Sequence, residues 1–86
     1  MNEVEALEAA KFIVQVYYNA TKCKGRKWKY VKDSEISIKK IINGDTLFII
    51  MLAVENDETK ATGDNQLYLV VYDKLNNKIS TYLYMN

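Results

Sequence analysis

The N-terminal segment of the chain carries apolar side chains at three- and four-residue spacing. Neither Gly nor Pro occurs from Asn2 to about Thr21, and Glu residues precede the segment's lysines. The spacing gives one apolar stripe, and the order of charges suits the helix dipole. The pattern therefore predicts one long helix that ends before Gly25. The stripe consists of Val4, Leu7, Ala10, Ile13, Val14, Tyr17 and Tyr18.

Beyond Gly25 the apolar residues recur at every second position instead. The large aromatic and aliphatic residues on either side of the polar stretch 32–35 share one parity, and charged or polar residues take most positions of the other parity. Such alternation is typical of a strand with one buried face. We predict one long strand here, bent at the polar stretch 32–35. The apolar residues that share one parity are Trp28, Tyr30, Ile36 and Ile38.

Three further apolar segments predict three further strands. Leu47 to Val54 is apolar throughout and short, which favours a central strand over a helix. Gln66 to Tyr72 and Lys78 to Tyr84 are rich in Tyr, Val, Leu and Ile, as strands are. The Asn43-Gly44 pair is typical of a two-residue primed turn with positive φ angles. The polar stretch 73–77 is expected to form the last turn.

This order of elements predicts an α+β fold in which one long N-terminal helix packs on a four-stranded antiparallel sheet. A helix on one face of such a meander is the simplest two-layer arrangement that buries both apolar surfaces. A chain of 86 residues forms one domain, which we assign to residues 1–86. The long connection 56–66 is expected at the end of the sheet opposite the Asn-Gly turn.

Composition excludes several classes of function. The 49% of hydrophobic and 27% of charged residues are ordinary for a globular protein, and a net charge of +1 selects no polyanionic partner. The absence of His and the single Cys23 exclude a Cys/His zinc cage, a Ser-His-Asp triad and an internal disulfide. We therefore expect no enzyme, no metal and no cofactor. Basic neighbours would activate the Cys23 thiol, but no His could serve as its base.

The termini and the hydropathy predict no membrane association. The N-terminus is acidic where a signal peptide would be basic, and no apolar run approaches about 20 residues. The lone thiol favours a cytoplasmic setting, although a secreted chain with an added Met would carry the same sequence. The localisation therefore stays open.

The order of one long helix and four antiparallel strands, with its turns, resembles the cystatin superfamily of cystatins, stefins and phytocystatins. Cystatin helices often carry a run of small, basic, aromatic and aliphatic residues that ends near an Asn. The run Ala10-Lys11-Phe12-Ile13-Val14 with Asn19 is similar. The resemblance implies an inhibitor that binds papain-like cysteine proteases with a wedge of hairpins and does no chemistry.

The first inhibitory hairpin of cystatins reads Gln-Val-Val-Ala-Gly, followed by Thr and an apolar strand. A similar stretch lies between the second element of this chain and its central strand, with Lys40 in place of the Gln. The resemblance thus implies that this stretch contacts the protease. It consists of Lys40, Ile41, Ile42, Asn43 and Gly44.

The second cystatin hairpin usually carries Pro-Trp, and the corresponding turn of this chain has neither residue. Only Leu75 could supply an apolar contact there. The third cystatin contact is an N-terminal trunk with a Gly, whereas Met1 and Asn2 alone precede the helix pattern here. The second hairpin consists of Asp73, Lys74, Leu75, Asn76 and Asn77.

A second hypothesis is a non-inhibitory interaction module on the same fold, which would bind a protein through its tyrosine-bearing sheet or through the basic segment 22–29. Four tyrosines share strand parity with Val70 and would form an aromatic patch on one face of the last two strands. The apolar central strand predicts that both faces of the sheet are covered, which a homodimer or a strand-swapped dimer would satisfy. Swapping is known among cystatin-like proteins. The tyrosines are Tyr68, Tyr72, Tyr82 and Tyr84.

A nucleic-acid interface is a further alternative, and the pattern argues against it. Segment 22–30 interleaves basic and aromatic residues, which could hold phosphates and stack bases. However, Trp28 and Tyr30 share parity with Ile36, so we expect them to pack on the helix and leave the lysines in solvent.

Overall fold

The computed structural model describes residues 2–22, 31–56 and 67–84, and the side chains of Thr21, Lys22 and Tyr84 are not described. Helix α1 packs on one face of a single antiparallel sheet whose strand order is β1-β2-β3-β4. This confirms the predicted α+β fold. The elements are α1 (Glu3–Lys22), a short 3-10 helix (Asp33–Glu35), β1 (Ile36–Asn43), β2 (Leu47–Val54), β3 (Leu67–Asp73) and β4 (Lys78–Tyr84).

Helix α1 begins with a capping box that the periodicity does not reveal. The Asn2 side-chain oxygen accepts a hydrogen bond from the Glu5 backbone N–H at 2.8 Å, and the Glu5 carboxylate accepts one from the Asn2 N–H at 3.0 Å. These two bonds satisfy N–H groups that have no partner within the helix. The box therefore fixes the start of α1.

The buried stripe of α1 is narrower than the predicted one. It consists of Ala6, Ala10, Val14 and Tyr18, which follow one another at four-residue spacing. Val4, which the pattern placed in the stripe, is 63% exposed. Leu7 packs beside this stripe, and the Tyr17 ring meets the Tyr68 ring edge-on with the ring centroids 5.6 Å apart.

The core lies between α1 and the alternate residues of β2 and β3. Paired residues of antiparallel strands lie on the same face, so Phe48 and Tyr72 face the helix together, as do Ile50 and Val70. All four are buried. We call this side of the sheet the helix face, and the other side the open face.

Strand β1 begins later than the sequence predicts. Residues 33–35 form a 3-10 helix, and the Glu35 carboxylate accepts a hydrogen bond from the Lys32 N–H at 2.8 Å. Polar side chains satisfy the backbone locally here, which competes with strand pairing. The bend is instead a register shift between Ile38 and Lys40. Ile36 and Ile38 share the helix face as predicted, and Trp28 and Tyr30 lie outside the described residues.

The segment that enters β1 is fastened to the helix by polar side chains. The Asn19 side-chain oxygen accepts a hydrogen bond from the Val31 N–H at 2.8 Å, and the Gln15 amide donates to the Val31 carbonyl at 3.1 Å. Lys11 forms an ion pair with Asp33 at 3.1 Å. These contacts set the position of the helix relative to β1.

The remaining predictions of strand bounds hold closely. β2 and β4 have the predicted bounds, and β3 extends to Asp73. Residues 57–66, most of the predicted long connection, lie outside the described residues, as does Cys23. Within the described ranges, no helix has both the length and the apolar character required to cross a membrane.

Candidate functional site at the paired hairpin turns

Both hairpin turns lie at one end of the sheet, beside the N-terminus of α1. Because the strands alternate in direction, the β1–β2 and β3–β4 turns share this end. Asn2 and Glu3 of the helix line one side of a cleft of about 480 Å³, and Asn43 and Lys74 line the other. The structure thus brings the two turns that the resemblance assigned to protease binding next to the start of the helix. Phe48 and Tyr72 complete the lining of the cleft.

The first turn is not the predicted Asn-Gly turn. Asn43 is the last residue of β1 and pairs with Phe48. The Gly44 N–H donates to the Leu47 carbonyl at 2.8 Å, which leaves Asp45 and Thr46 at the tip. Neither Asn43 nor Gly44 adopts a positive φ. The prediction of a primed turn centred on Asn43-Gly44 is therefore wrong.

The register of β1 on β2 explains this difference. A two-residue turn centred on Asn43-Gly44 would pair Lys39 with Phe48 and so direct a lysine toward the helix. The observed register instead pairs Ile41 with Ile50, and Ile36 with Val54. Burial of apolar side chains on the helix face determines which residues form the turn.

The second turn is held by the side chain of Asp73. One Asp73 oxygen accepts hydrogen bonds from the N–H groups of Leu75 at 3.0 Å and Asn76 at 3.2 Å. The Asn76 side-chain amide donates to the other oxygen at 2.8 Å. These bonds from Asn76 hold the pKa of the Asp73 carboxyl below its ordinary value, with further contributions from the Leu75 N–H and the nearby Lys78 charge. The ionised carboxylate is therefore part of the turn.

Asn77 completes the second turn. Its φ of 50° lies in the left-handed region, which Asn tolerates better than most residues. The Tyr72 hydroxyl donates to the Asn77 side-chain oxygen at 2.7 Å. A residue of the buried core thus anchors the end of the turn.

Lys74 joins the two turns. Its backbone N–H donates to the Thr46 carbonyl at 2.9 Å. Its ammonium group donates to the Asn43 side-chain oxygen at 2.5 Å and to the Gly44 carbonyl at 2.6 Å. No sequence pattern predicts this link, because 30 residues separate Lys74 from Gly44 and the contact depends on the shared end of the sheet.

Apolar side chains are exposed at both turns. Leu75 at the second turn is 76% exposed, and Ile41 and Ile42 beside the first turn are 42% and 47% exposed. Lys40, at the position of the cystatin Gln, pairs with Met51 within the strand and is exposed. Exposed apolar side chains beside rigid turns can bind a partner because the contact removes their apolar surface from water, and no chemical reaction is needed.

The predicted tyrosine patch does not exist as one surface. Tyr68 and Tyr72 lie on the helix face, with exposures of 0% and 7%, whereas Tyr82 is 56% exposed on the open face. Tyr68 pairs with Leu83, so residues of equal parity on β3 and β4 lie on opposite faces. Sequence parity shows which residues share a face within one strand. The register set by the turn determines which parity of the next strand lies on the same face.

The open face carries a band of apolar side chains across all four strands. Two rows of paired residues form the band. All of their side chains are at least partly exposed, Ile42 to 47% and Tyr82 to 56%. The prediction that both faces of β2 are covered is thus not met by the described residues. The rows are Ile42, Ile49, Val71 and Ser80, and Lys40, Met51, Leu69 and Tyr82.

The chain matches no protein-family model, no curated protein and no solved structure. Among the described residues, no group of three or more acidic, Cys or His side chains is placed to hold a metal ion. The cystatin resemblance stays a prediction from the order of the elements and from the sequence of the helix and of the stretch 40–47.

Proposed function

We propose that the chain is a cystatin-like inhibitor of papain-like cysteine proteases that binds by its paired turns. The observation that carries the proposal is the link through Lys74, which holds the two turns together next to the N-terminus of α1. In this proposal the turns enter the protease cleft and cover its catalytic thiol. No bond of the inhibitor is cleaved.

The internal hydrogen bonds of the turns support binding by a rigid wedge. The Asp73 carboxylate, the Tyr72 hydroxyl and the Lys74 ammonium each hold a turn residue before any partner arrives. A surface that is already ordered loses less conformational entropy on binding. Exposed Leu75 and Ile42 then provide the apolar area that the protease would bury.

The departures from the cystatin pattern lower the affinity that we expect. Lys40 stands where cystatins have Gln, and the second turn lacks Pro-Trp. A few hot-spot residues carry most of the energy of an interface, and the lost aromatic anchor is of that kind. We therefore expect measurable inhibition only at high concentrations of the chain.

The test is a titration of papain with the purified chain, read as residual peptidase activity. Reversible inhibition that Gly44→Glu abolishes is the expected result, because a charged side chain at the first turn cannot enter an apolar cleft. Ser34→Glu is the matched control, since it adds the same charge to an exposed residue beyond the opposite end of β1. Circular dichroism of both variants checks that the fold is intact.

Two outcomes would contradict the proposal. One is the absence of inhibition at any concentration. The other is equal inhibition by the wild-type chain and by folded Gly44→Glu. Leu75→Ser refines the test, because loss of one buried Leu should weaken binding about tenfold or more if the second turn takes part.

The open face favours a second candidate function, a non-inhibitory interaction module. Contiguous exposed apolar surface often marks a contact with another protein. On this hypothesis the partner binds across Met51 and Leu69, and the turns only close the strands. Protease inhibition that persists after substitutions on the open face would show that the turns bind the protease and that the open face does not.

A further inference from the structure

The apolar band on the open face covers enough area to contribute to a contact with a second protein molecule. Four strands about 4.8 Å apart and seven residues at about 3.4 Å each give a face of about 19 by 24 Å, or about 450 Å². The central pairs, Ile49 with Val71 and Met51 with Leu69, are apolar throughout. Charged residues of the open face lie toward its margins, at Lys40 on one edge strand and at the paired Asp73 and Lys78 near the second turn.

We propose that two copies of the chain pack open face to open face, with β1 of each copy above β4 of the other. The two-fold axis then runs along the strands, between β2 and β3. The result is a four-layer dimer with the two sheets inside and the two helices outside. This proposal is independent of protease inhibition: the turn tips at 45–46 and 74–76 lie at the strand ends and stay uncovered, whereas Ile42, which the wedge would also use, is buried in the dimer.

The paired rows of the sheet favour this orientation. With the axis along the strands, Ile49 meets Val71 of the second copy, and Met51 meets Leu69 of the second copy. At the edge, Lys40 meets Tyr82 of the second copy, where the ammonium group can contact the ring face or the hydroxyl. An axis across the strands would instead bring the two Lys40 charges to the same edge, which is unfavourable.

The available area predicts a reversible dimer. A typical stable interface buries about 800 Å² on each partner, roughly twice the area of this face. Aligned sheets pack about 10 Å apart with interdigitating side chains, as the aliphatic rows permit. We therefore expect monomer and dimer to exchange, with the dimer favoured at high concentration.

The first test is sedimentation equilibrium of two adjacent single variants. Ile42 and Ile41 are 47% and 42% exposed on neighbouring positions of β1, but Ile42 lies on the open face and Ile41 on the helix face. The wild-type mass should rise from 10.0 kDa toward twice that value as the chain is concentrated to about 500 µM. Ile42→Lys should stay monomeric, while Ile41→Lys should follow the wild-type curve.

Cross-linking tests the orientation. In a Cys23→Ser background, Lys40→Cys and Tyr82→Cys proteins are mixed in equal amounts and treated with a bismaleimide that spans about 8 Å, close to the gap between packed sheets. A covalent dimer should form in the mixture and not with Lys40→Cys alone. The proposal is overturned by a wild-type chain that stays monomeric throughout, or by a dimer that Ile42→Lys leaves unchanged, as a strand-swapped dimer would be. It is also overturned by equal cross-linking of Lys40→Cys alone.

Discussion

The two hairpin turns differ in what holds them. The second turn is fixed by its own side chains, since the Asp73 carboxylate accepts three hydrogen bonds and the Tyr72 hydroxyl reaches Asn77. The first turn closes with the bond from Gly44 to Leu47, and Lys74 of the second turn holds it from outside. The rigidity of the first turn therefore depends on the second.

This difference bears on function because both turns would have to fit one protease cleft. Two independently mobile tips would each lose entropy on binding, whereas linked tips are positioned together. In the proposed function, the link would position the two turns together in a chain that lacks the cystatin Gln and Pro-Trp. The following variants separate the contributions of the two turns.

The largest expected effect is that of Tyr72→Phe on the second turn. This substitution keeps the buried ring and removes the hydroxyl that donates to Asn77, so we expect a loss of about 1 kcal/mol in the free energy of unfolding. Urea denaturation measures it. Tyr82→Phe is the control, because Tyr82 is 56% exposed and should change stability by less than about 0.5 kcal/mol. Equal effects of the two variants would show that the Tyr72 hydroxyl does not anchor the turn.

Lys74→Met should have a smaller effect on stability and a selective effect on the first turn. The exposed ammonium group contributes less than about 1 kcal/mol, but its loss frees Asn43 and the Gly44 carbonyl. Amide hydrogen exchange at Gly44 should become faster, while exchange at Leu75 stays unchanged. Lys32→Met removes the same charge from an exposed site before β1 and should change neither amide. Faster exchange at both turns would contradict the claim that the second turn holds itself.

The smallest effect is the response of the second turn to acid. Because hydrogen bonds from Asn76 lower the pKa of Asp73, the ionised carboxylate stabilises the turn above its ordinary pKa of 3.8. This contribution is lost as the pH falls below 3.8 and through the lowered pKa of the folded state. The side-chain amide signals of Asn76 should therefore shift only in that acidic range, and Asp73→Asn should remove the shift. A shift centred above pH 3.8 would contradict the sign of the pKa change.

The sequence predicts the elements of this fold well because local patterns determine them. The apolar run 47–54 has turn residues on both sides, and the helix has an uninterrupted spacing of apolar residues. The predictions that failed depend on contacts between distant segments. The first turn follows from pairing Ile41 with Ile50, and the split of Tyr68 from Tyr82 follows from the register of β3 on β4.

The candidate site was predictable in its residues and not in its geometry. The resemblance to cystatins indicated the stretches 40–44 and 73–77, and the structure places the turns that follow Asn43 and Asp73 at one end of the sheet, with Lys40 within β1. The role of Lys74 could not be predicted, because a lysine in a polar turn resembles any solvent-exposed lysine. Its partners are a side-chain amide and a carbonyl on another hairpin, which only the sheet brings near.

The most direct test of the wedge is to map the surface of the chain that papain contacts. A ¹⁵N-labelled chain is titrated with papain whose catalytic thiol carries a small blocking group, and the amide signals are followed by NMR. If the wedge binds papain, the signals of Gly44, Thr46 and Leu75 should change first, and the signal of Ser34 should not change. Unchanged turn signals at saturating papain, or changes confined to the open face around Leu69, would contradict it.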